Sequence, residues 1–498
     1  MKPIFCSTRG YAGVENFLDV VRLGLAPDGG LFVPCEFDQP FTTSELGDLV
    51  QKNYLERALT VLERFPVNPL TDSELGELLR EAYSEANFAN LAVAPVRKLN
   101  DQQYLLELFH GPTAAFKDLA LQLTPRFFGK AVQNNPENYL ILAATSGDTG
   151  VATIAGYADL VKLKVAVLYP AGGVSPVQEQ QMLALQSENI KILPIQADFD
   201  FCQRTVKQIF TDTELKQTLL KQDQTKLSSA NSINWGRLLP QVAYWFSGYL
   251  DLVNLKAVIL GEPIDITVPT GNFGNIFAAH LARKLGLPIK KLIIASNENN
   301  VLTEFIQTGR INLTDRKLRL TASPSIDILR SSNLERMLWL ITDRDTARVA
   351  ELVGTFEKTG QLEINSEELA EIQEIYAAGW CSEADCAQTI QQTFAETSVL
   401  LDTHTAIAKK VADTHQADCP MLIAATAHWA KFPASVLAAL GGDPTNKSVA
   451  ELYAAIQTQT GAEPHGRLAA IVDKKLDPPT ALPANYEQIS AALQQFCG

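Results

Sequence analysis

Cysteine is scarce and unpatterned in this chain: seven in 498 residues, at positions 6, 35, 202, 381, 386, 419 and 497, with no C-x-x-C pair. An odd number at irregular spacings excludes a disulfide framework and leaves reduced thiols as the ordinary reading. Cys381 and Cys386 are close enough in sequence to share a metal, but no histidine stands near them at ligand spacing. The six histidines form neither an H-x-x-x-H nor an H-E-x-x-H pattern, so no catalytic metal is indicated. No apolar run approaches the ~20 residues of a membrane-crossing helix, and the first ten residues lack the apolar core of a secretory signal. Positive charge is also short, with 42 Lys and Arg against 56 Asp and Glu and a net charge of −14. A phosphate backbone or an anionic membrane would meet net repulsion. These absences predict a soluble, cytoplasmic chain without nucleic-acid or membrane partners, and nothing among them implies an oligomer. An anionic ligand then needs a local site of backbone N–H groups and a few cations.

What is present is an ordinary globular composition, 46% hydrophobic and 20% charged, in a length that suggests roughly three domains or subdomains. Residues 1–95 read as a helical N-terminal domain, with amphipathic stretches at Glu15–Leu23, Ser44–Phe65 and Ser73–Ala86. From residue 96 the texture changes to short apolar runs of strand length, Tyr139–Ala144, Lys164–Tyr169, Ile190–Ile195, Ile264–Val268, Lys291–Ala295 and Met421–Ala424, alternating with helical patterns. That alternation predicts an α/β fold, with mainly parallel sheet flanked by helices. Residues 96–310 form the core, 311–400 a mainly helical insertion, and 401–498 a return to the core ending in a C-terminal helix. Three turns rich in Gly, Ser and Thr, after Ala144, Tyr169 and Val268, are expected at the carboxyl edge of one sheet, where open α/β sheets bind ligands.

The turn Gly271-Asn272-Phe273-Gly274-Asn275 opens a helix, where unpaired N–H groups and a partial positive charge suit a phosphate. Its glycines let the backbone approach the anion, and the neutral asparagines donate without a competing charge. Taken alone such a turn is an ordinary βα loop. Lys117 follows Ala115-Phe116 at a helix start, where desolvation and the helix dipole favour the neutral amine that attacks an aldehyde. Locally it is equally a snorkelling lysine. A lysine, the Thr145–Gly150 turn and the Gly271–Asn275 turn at one edge together meet the needs of pyridoxal 5'-phosphate (PLP): an aldehyde partner, a clamp for a substrate carboxylate and a clamp for the cofactor phosphate. His110 reads as structural rather than as a wall donor, and Asp148 as a helix cap.

The runs His110–Asp118, Thr145–Gly150, Asn231–Arg237, Pro269–Asn275, Asp402–Ala406 and Thr426–Pro433, with Ser7–Gly10 and Ala26–Pro34 before them, resemble in order the blocks of the threonine synthase family, fold-type II PLP enzymes, from about residue 5 to 435. The resemblance implies conversion of O-phospho-L-homoserine and water to L-threonine and phosphate. It implies Lys117 as the Schiff-base lysine and acid/base, and Gly271, Asn272, Phe273, Gly274 and Asn275 as the cofactor-phosphate cradle. Thr426 would be the hydroxyl at the pyridine nitrogen, and Ser146, Gly147 and Thr149 the grip on the substrate carboxylate. Trp429 departs from the family, which has proline after Ala-His, and bears on the loop beyond Thr426. Arg237 is the first candidate for the substrate phosphate, since a guanidinium fork matches phosphate oxygens; a domain-bridging arginine is the alternative. A PLP-dependent phospho-lyase releasing a 2-oxo acid shares the same opening steps and is the alternative function.

Overall fold

The computed structural model describes residues 4–37, 39–158, 160–415, 418–474 and 476–498. Two sheets carry the chain. The first runs in space Tyr376–Trp380, Ile289–Ser296, Ile264–Pro269, Met421–Ala425, Gln103–Glu107, Val96–Lys98 and is parallel except for its last pair. The second runs Leu482–Pro483, Ile190–Gln196, Leu163–Pro170, Asn138–Ala144, Thr225–Ser229 and is parallel throughout. Ile264–Pro269 and Met421–Ala425 are buried at every residue. Helices on both faces therefore bury these strands throughout: Met421–Ala425 is an unbroken apolar run, while Ile264–Pro269 keeps Asp265 and Thr267 inside. The helix Pro240–Asn254 is buried almost all round and packs on Tyr54–Leu62 and Gly274–Lys284, as its uniformly apolar surface requires.

The expectation of a single sheet edge is corrected here. The turns after Ala144 and Pro170 belong to the second sheet and the turn after Pro269 to the first; the turns after Ala144 and Pro269 line one cavity from the two sheets, and the turn after Pro170 is off its wall. Apolar runs reveal strands, but partners are chosen by long-range packing, which the runs do not encode.

In the N-terminal part the Ser44–Phe65 stretch is two helices, Thr43–Leu49 and Tyr54–Leu62, because Asn53 and Glu56 form a capping box between them. A two-stranded ribbon, Phe5–Ser7 against Phe32–Pro34, was too short to show a period. Buried Arg57 donates to the Leu49 carbonyl, to Ser247 and to Asp251, fixing the N-terminal helices to the central helix. Residues 311–400 are largely helical, yet they also send Tyr376–Trp380 into the first sheet as its edge strand.

Three buried histidines set an acid limit on this fold. Burial, the largest influence on each, lowers His280 and His428 to about 3 and His465 to about 4. The folded chain keeps them neutral where the unfolded chain, titrating at about 6.5, takes up protons. Their stabilisation is complete above that value and is lost as the pH falls toward 4, at roughly 1.4 kcal/mol per pH unit for each. Burial acts oppositely on Asp118, raised to about 6, so one carboxyl recovers stability between 6 and 4 while three histidines lose it. The melting temperature should fall steeply from pH 6.5 to 4.5; a flat profile there contradicts this assignment.

Candidate active site

Lys117 is placed by a closed loop. The strand Gln103–Glu107 ends with Leu108 N–H donating to the Ala425 carbonyl at 2.9 Å, which keeps two neighbouring strand ends in step. At Gly111 a Cβ would fall 2.4 Å from Asp118 Cβ, so the turn needs glycine. Thr113 donates to Asp118 through its N–H at 2.8 Å and its hydroxyl at 2.6 Å. Residues 111–118 thereby form a ring that ends in the helix Lys117–Leu121. The Lys117 amine sits 3.4 Å from Asp148 Oδ2 and 3.2 Å from Ser325 Oγ. Burial lowers its pKa below the ordinary lysine value; Asp148 pulls the other way, and the nearby Arg237 and Lys431 charges add to the lowering.

Asp148 does not cap its helix, contrary to the sequence reading. Gly147 is the N-cap of Asp148–Tyr157, at φ 140° and ψ −101°, with no side-chain cap bond. A Cβ on Gly147 would lie 2.3 Å from Gln178 Nε2. The Asp148 carboxylate points inward: Oδ1 meets Lys431 Nζ at 3.0 Å and accepts from Gln178 at 2.9 Å, and Oδ2 accepts from Ser325 at 2.9 Å. Desolvation alone would raise its pKa, but the charges of Lys431 and Lys117 outweigh it and hold the carboxyl well below its usual range. Lys431, fully buried, also donates to the Thr113 carbonyl at 2.8 Å and to Gln181 at 3.0 Å. The 426–433 run is thus bolted to the lysine loop.

The turn at the end of Ile264–Pro269 holds a non-glycine residue, Phe273, in the left-handed region at φ 63°, a conformation that costs about 1 kcal/mol or more. Its surroundings enforce it. The Phe273 ring packs on Tyr376, whose hydroxyl bonds His280 Nδ1 at 2.8 Å. The Asn272 carbonyl accepts from Asn333 N–H at 3.1 Å and Nδ2 at 2.9 Å. Asn333 is gripped by buried Arg336, which also donates to the carbonyls of Phe32 and Ile233. A Cβ on Gly271 would be 3.0 Å from the Ser325 carbonyl and from Ile328, so segment 325–328 closes over the turn only because glycine is there.

Lys117, Asp148, Ser325 and the Gly271–Asn275 turn border one cavity of about 820 Å3, large enough for a cofactor with its substrate. Lys117, Ser146, Thr149, Arg237, Thr426 and all five residues Gly271–Asn275 are on its wall; Gly147 is not, and shapes the turn from behind. His110 also lies off the wall, paired with Glu107 at 2.8 Å. Trp429 is buried against Tyr453 with ring centroids 5.8 Å apart. The loop before it stays docked, since Phe116 N–H donates to the Thr426 carbonyl at 2.8 Å and His428 N–H to Ala114 at 3.1 Å. Arg237 is buried, donates to the Ala230 carbonyl at 2.9 Å, and has no carboxylate partner among the described residues; burial lowers it to about 10.

Sequence reasoning gave no role to Ser325, His404, Lys431 or Asn333. Ser325 N–H donates to His404 Nε2 at 3.1 Å, and His404 Nδ1 faces Asp402 at 3.0 Å. The Asp402–Ala406 and Thr426–Pro433 runs contained two of these residues, but only folding brings them to Lys117. The serines at 323, 325, 331 and 332 were the only local signal for the segment that closes the cavity.

Pyridoxal 5'-phosphate fits these residues. Asn275 Nδ2 and Ser331 Oγ are buried on the cavity wall with no hydrogen-bond partner among the described residues, an expensive arrangement unless a ligand supplies acceptors. They flank the helix start that would receive a phosphate, and the Lys117 amine and Thr426 stand on the same wall.

Comparison with known proteins gives the same reading. Family models described as threonine synthase N terminus, pyridoxal-phosphate dependent enzyme, and threonine synthase C-terminal match residues 4–83, 94–355 and 405–467. Threonine synthase-like 1 of Homo sapiens is 46% identical over 444 residues, 88% of this chain. The chain spans only 60% of that protein's length. Threonine synthase of Pseudomonas aeruginosa is 39% identical over 437 residues, 87% of this chain and 89% of that one. The crystal structure of PLP-bound threonine synthase from Brucella melitensis superposes with a TM-score of 0.87 at 36% identity, covering 99% of both chains. The two sheets and their shared cavity are therefore the fold-type II arrangement, pyridoxal phosphate is the cofactor, and the chain belongs to the threonine synthase family.

Proposed function

We propose that the chain is a threonine synthase, a PLP-dependent lyase that converts O-phospho-L-homoserine and water to L-threonine and phosphate. The observation that carries this reading is Arg237: a buried guanidinium with no carboxylate partner among the described residues, in the same cavity as a separate phosphate cradle. A buried unpaired cation is costly, and a substrate phosphate supplies its counter-ion. The cradle at Gly271–Asn275 holds one phosphate and Arg237 the other. Ser146 and Thr149 grip the substrate carboxylate, with Gly147 setting the turn that aims them. Thr426 meets the ring nitrogen with a hydroxyl rather than a charge.

Bound PLP supplies the electron sink that makes the protons beside the substrate's amino-bearing carbon labile. The protein's part is proton handling and exclusion of water. The Lys117 amine, its pKa lowered by burial, takes and returns the substrate's protons. The Asp148 carboxylate remains ionised and fixes that amine through its Oδ2, with Ser325 as the second contact. The Arg9 guanidinium bonds Glu335 through two nitrogens, both at 2.9 Å, and Glu357 at 2.9 Å. The N-terminal ribbon is thereby held against the helices at the cavity mouth, where it limits water to the one molecule that adds. A cytoplasmic location belongs to the same reading; among the described residues no helix is long and apolar enough to cross a membrane.

Turnover of O-phosphohomoserine in heavy-oxygen water tests the reaction. The expected products are inorganic phosphate and an equal amount of threonine labelled at its hydroxyl. Stoichiometric 2-oxobutanoate without labelled threonine would replace the synthase by the phospho-lyase.

A further inference from the structure

Two half-buried cysteines of the N-terminal ribbon stand outside the cavity and its chemistry. Cys6 is in the strand Phe5–Ser7, and Cys35 is the first residue past Phe32–Pro34. The register pairs Cys6 with Val33, and Cys35 N–H donates to the Ile4 carbonyl at 2.9 Å. The two cysteines are therefore diagonal neighbours whose side chains share one face of the ribbon. The Cys35 side chain is near enough to bear on the Cys6 thiol. Arg344 donates to the Cys35 carbonyl at 3.0 Å, and its charge only partly offsets the burial that keeps the Cys6 thiol protonated. The remaining cysteines differ: Cys202, Cys381, Cys386 and Cys497 are buried, and Cys419 lies against Asp265.

We propose that Cys6 and Cys35 are a redox modification site, closing reversibly to a disulfide with small disulfide oxidants of the glutathione type. The Cys35 thiolate attacks the oxidant's S–S bond, forming a mixed disulfide and expelling one glutathione thiolate. Cys6 then gives its proton to solvent and attacks the Cys35 sulfur, expelling the second. Two cysteine thiols are oxidised and one glutathione disulfide is reduced to two glutathiones. Burial first, then the hydrogen bond and charge of Cys35, push the Cys6 thiol up to about 12, so Cys6 makes the second attack, from within the ribbon, rather than the first. The mixed disulfide removes the Cys35 charge and places the second attack within the same ribbon, where effective concentration is high.

The link acts on the segment that reaches the cavity. Directly after Cys6, the Ser7 hydroxyl bonds Asp28 at 2.8 Å, and Thr8 and Arg9 bond Glu335; Arg9 and Gly29 are on the cavity wall. Linking Cys6 to Cys35 draws the two strands of the ribbon together and shifts Ser7, Thr8 and Arg9 from their contacts with Asp28 and Glu335. Substrate capture weakens while the cofactor, held by Lys117 and the cradle, stays in place.

The test incubates the holoenzyme in glutathione disulfide, blocks free thiols with an alkylating agent and maps the peptides. The expected result is a Cys6–Cys35 linked peptide with the other five cysteines alkylated, a several-fold rise in KM for the amino-acid substrate, unchanged cofactor content, and reversal by dithiothreitol. Cys6→Ser should trap Cys35 as a glutathione mixed disulfide, and Cys35→Ser should leave Cys6 free to be alkylated. Absence of the link, separate mixed disulfides on both residues, or pairing through another cysteine would overturn the site. A linked enzyme with unchanged KM would overturn its effect on the cavity. The mapping does not depend on the proposed reaction, so the two can fail separately.

Discussion

Lys117→Ala should lower turnover by roughly 10⁴-fold or more, since one amine serves as both the covalent partner of the cofactor aldehyde and the proton carrier. Compared in the cofactor-free form, the same variant should melt at an unchanged or higher temperature than the unsubstituted chain. Lys117 is buried with its pKa lowered, so at neutral pH folding draws its ammonium out of water against the equilibrium of the unfolded chain, and that penalty disappears with the side chain. Asp148 keeps a partner in the variant, because Lys431 stands 3.0 Å from its other oxygen. Kinetics with the cofactor and calorimetry on the cofactor-free form check both outcomes. A large fall in melting temperature would make Lys117 a structural residue, and retained turnover would remove it from the chemistry.

Asp148→Ala should damage stability and activity together. Lys431 is fully buried, and without Asp148 it keeps only the Thr113 carbonyl and the Gln181 amide oxygen. Removing one partner of a buried ion pair costs about 3–5 kcal/mol, and a loss of this size is read directly in denaturant unfolding. Activity should fall on the order of a hundredfold or more, because the Lys117 amine loses the carboxylate that orients it. Asp148→Asn keeps the size and can still accept from Lys431, so it should recover much of the stability and little of the activity. If Asn and Ala behave alike in both measurements, the carboxylate charge is not what organises the site.

The sequence made legible those parts of the site that depend on local backbone. Gly271–Asn275 showed as a helix-start turn because close approach of segment 325–328 demands glycine at 271, and Lys117 showed because it opens a helix behind apolar residues. Strands such as Met421–Ala425 showed because burial on both faces leaves an unbroken apolar run. What was hidden is non-local. Asp148 looked like a cap because acidic residues at helix starts usually are; its partner Lys431 is brought in only by the fold. Ser325 reaches Lys117 from a separate segment, and Arg336 supports the cradle through Asn333 while reaching back to Phe32. Gly147 was placed among the residues gripping substrate, but its positive φ and the Gln178 side chain behind it put it in the turn's frame. The assignment of strands to two sheets was hidden for the same reason, since each strand carries the pattern of burial but not the identity of its neighbour.

On the proposed reading the cofactor is held on Lys117, in the cavity that the Gly271–Asn275 turn also lines. Borohydride reduction of the holoenzyme followed by peptide mapping tests it most directly. The account predicts the reduced cofactor on the peptide containing Lys117 and no such product from Lys117→Ala. The modification appearing instead on another lysine, with Lys431 the nearby buried alternative, would contradict it.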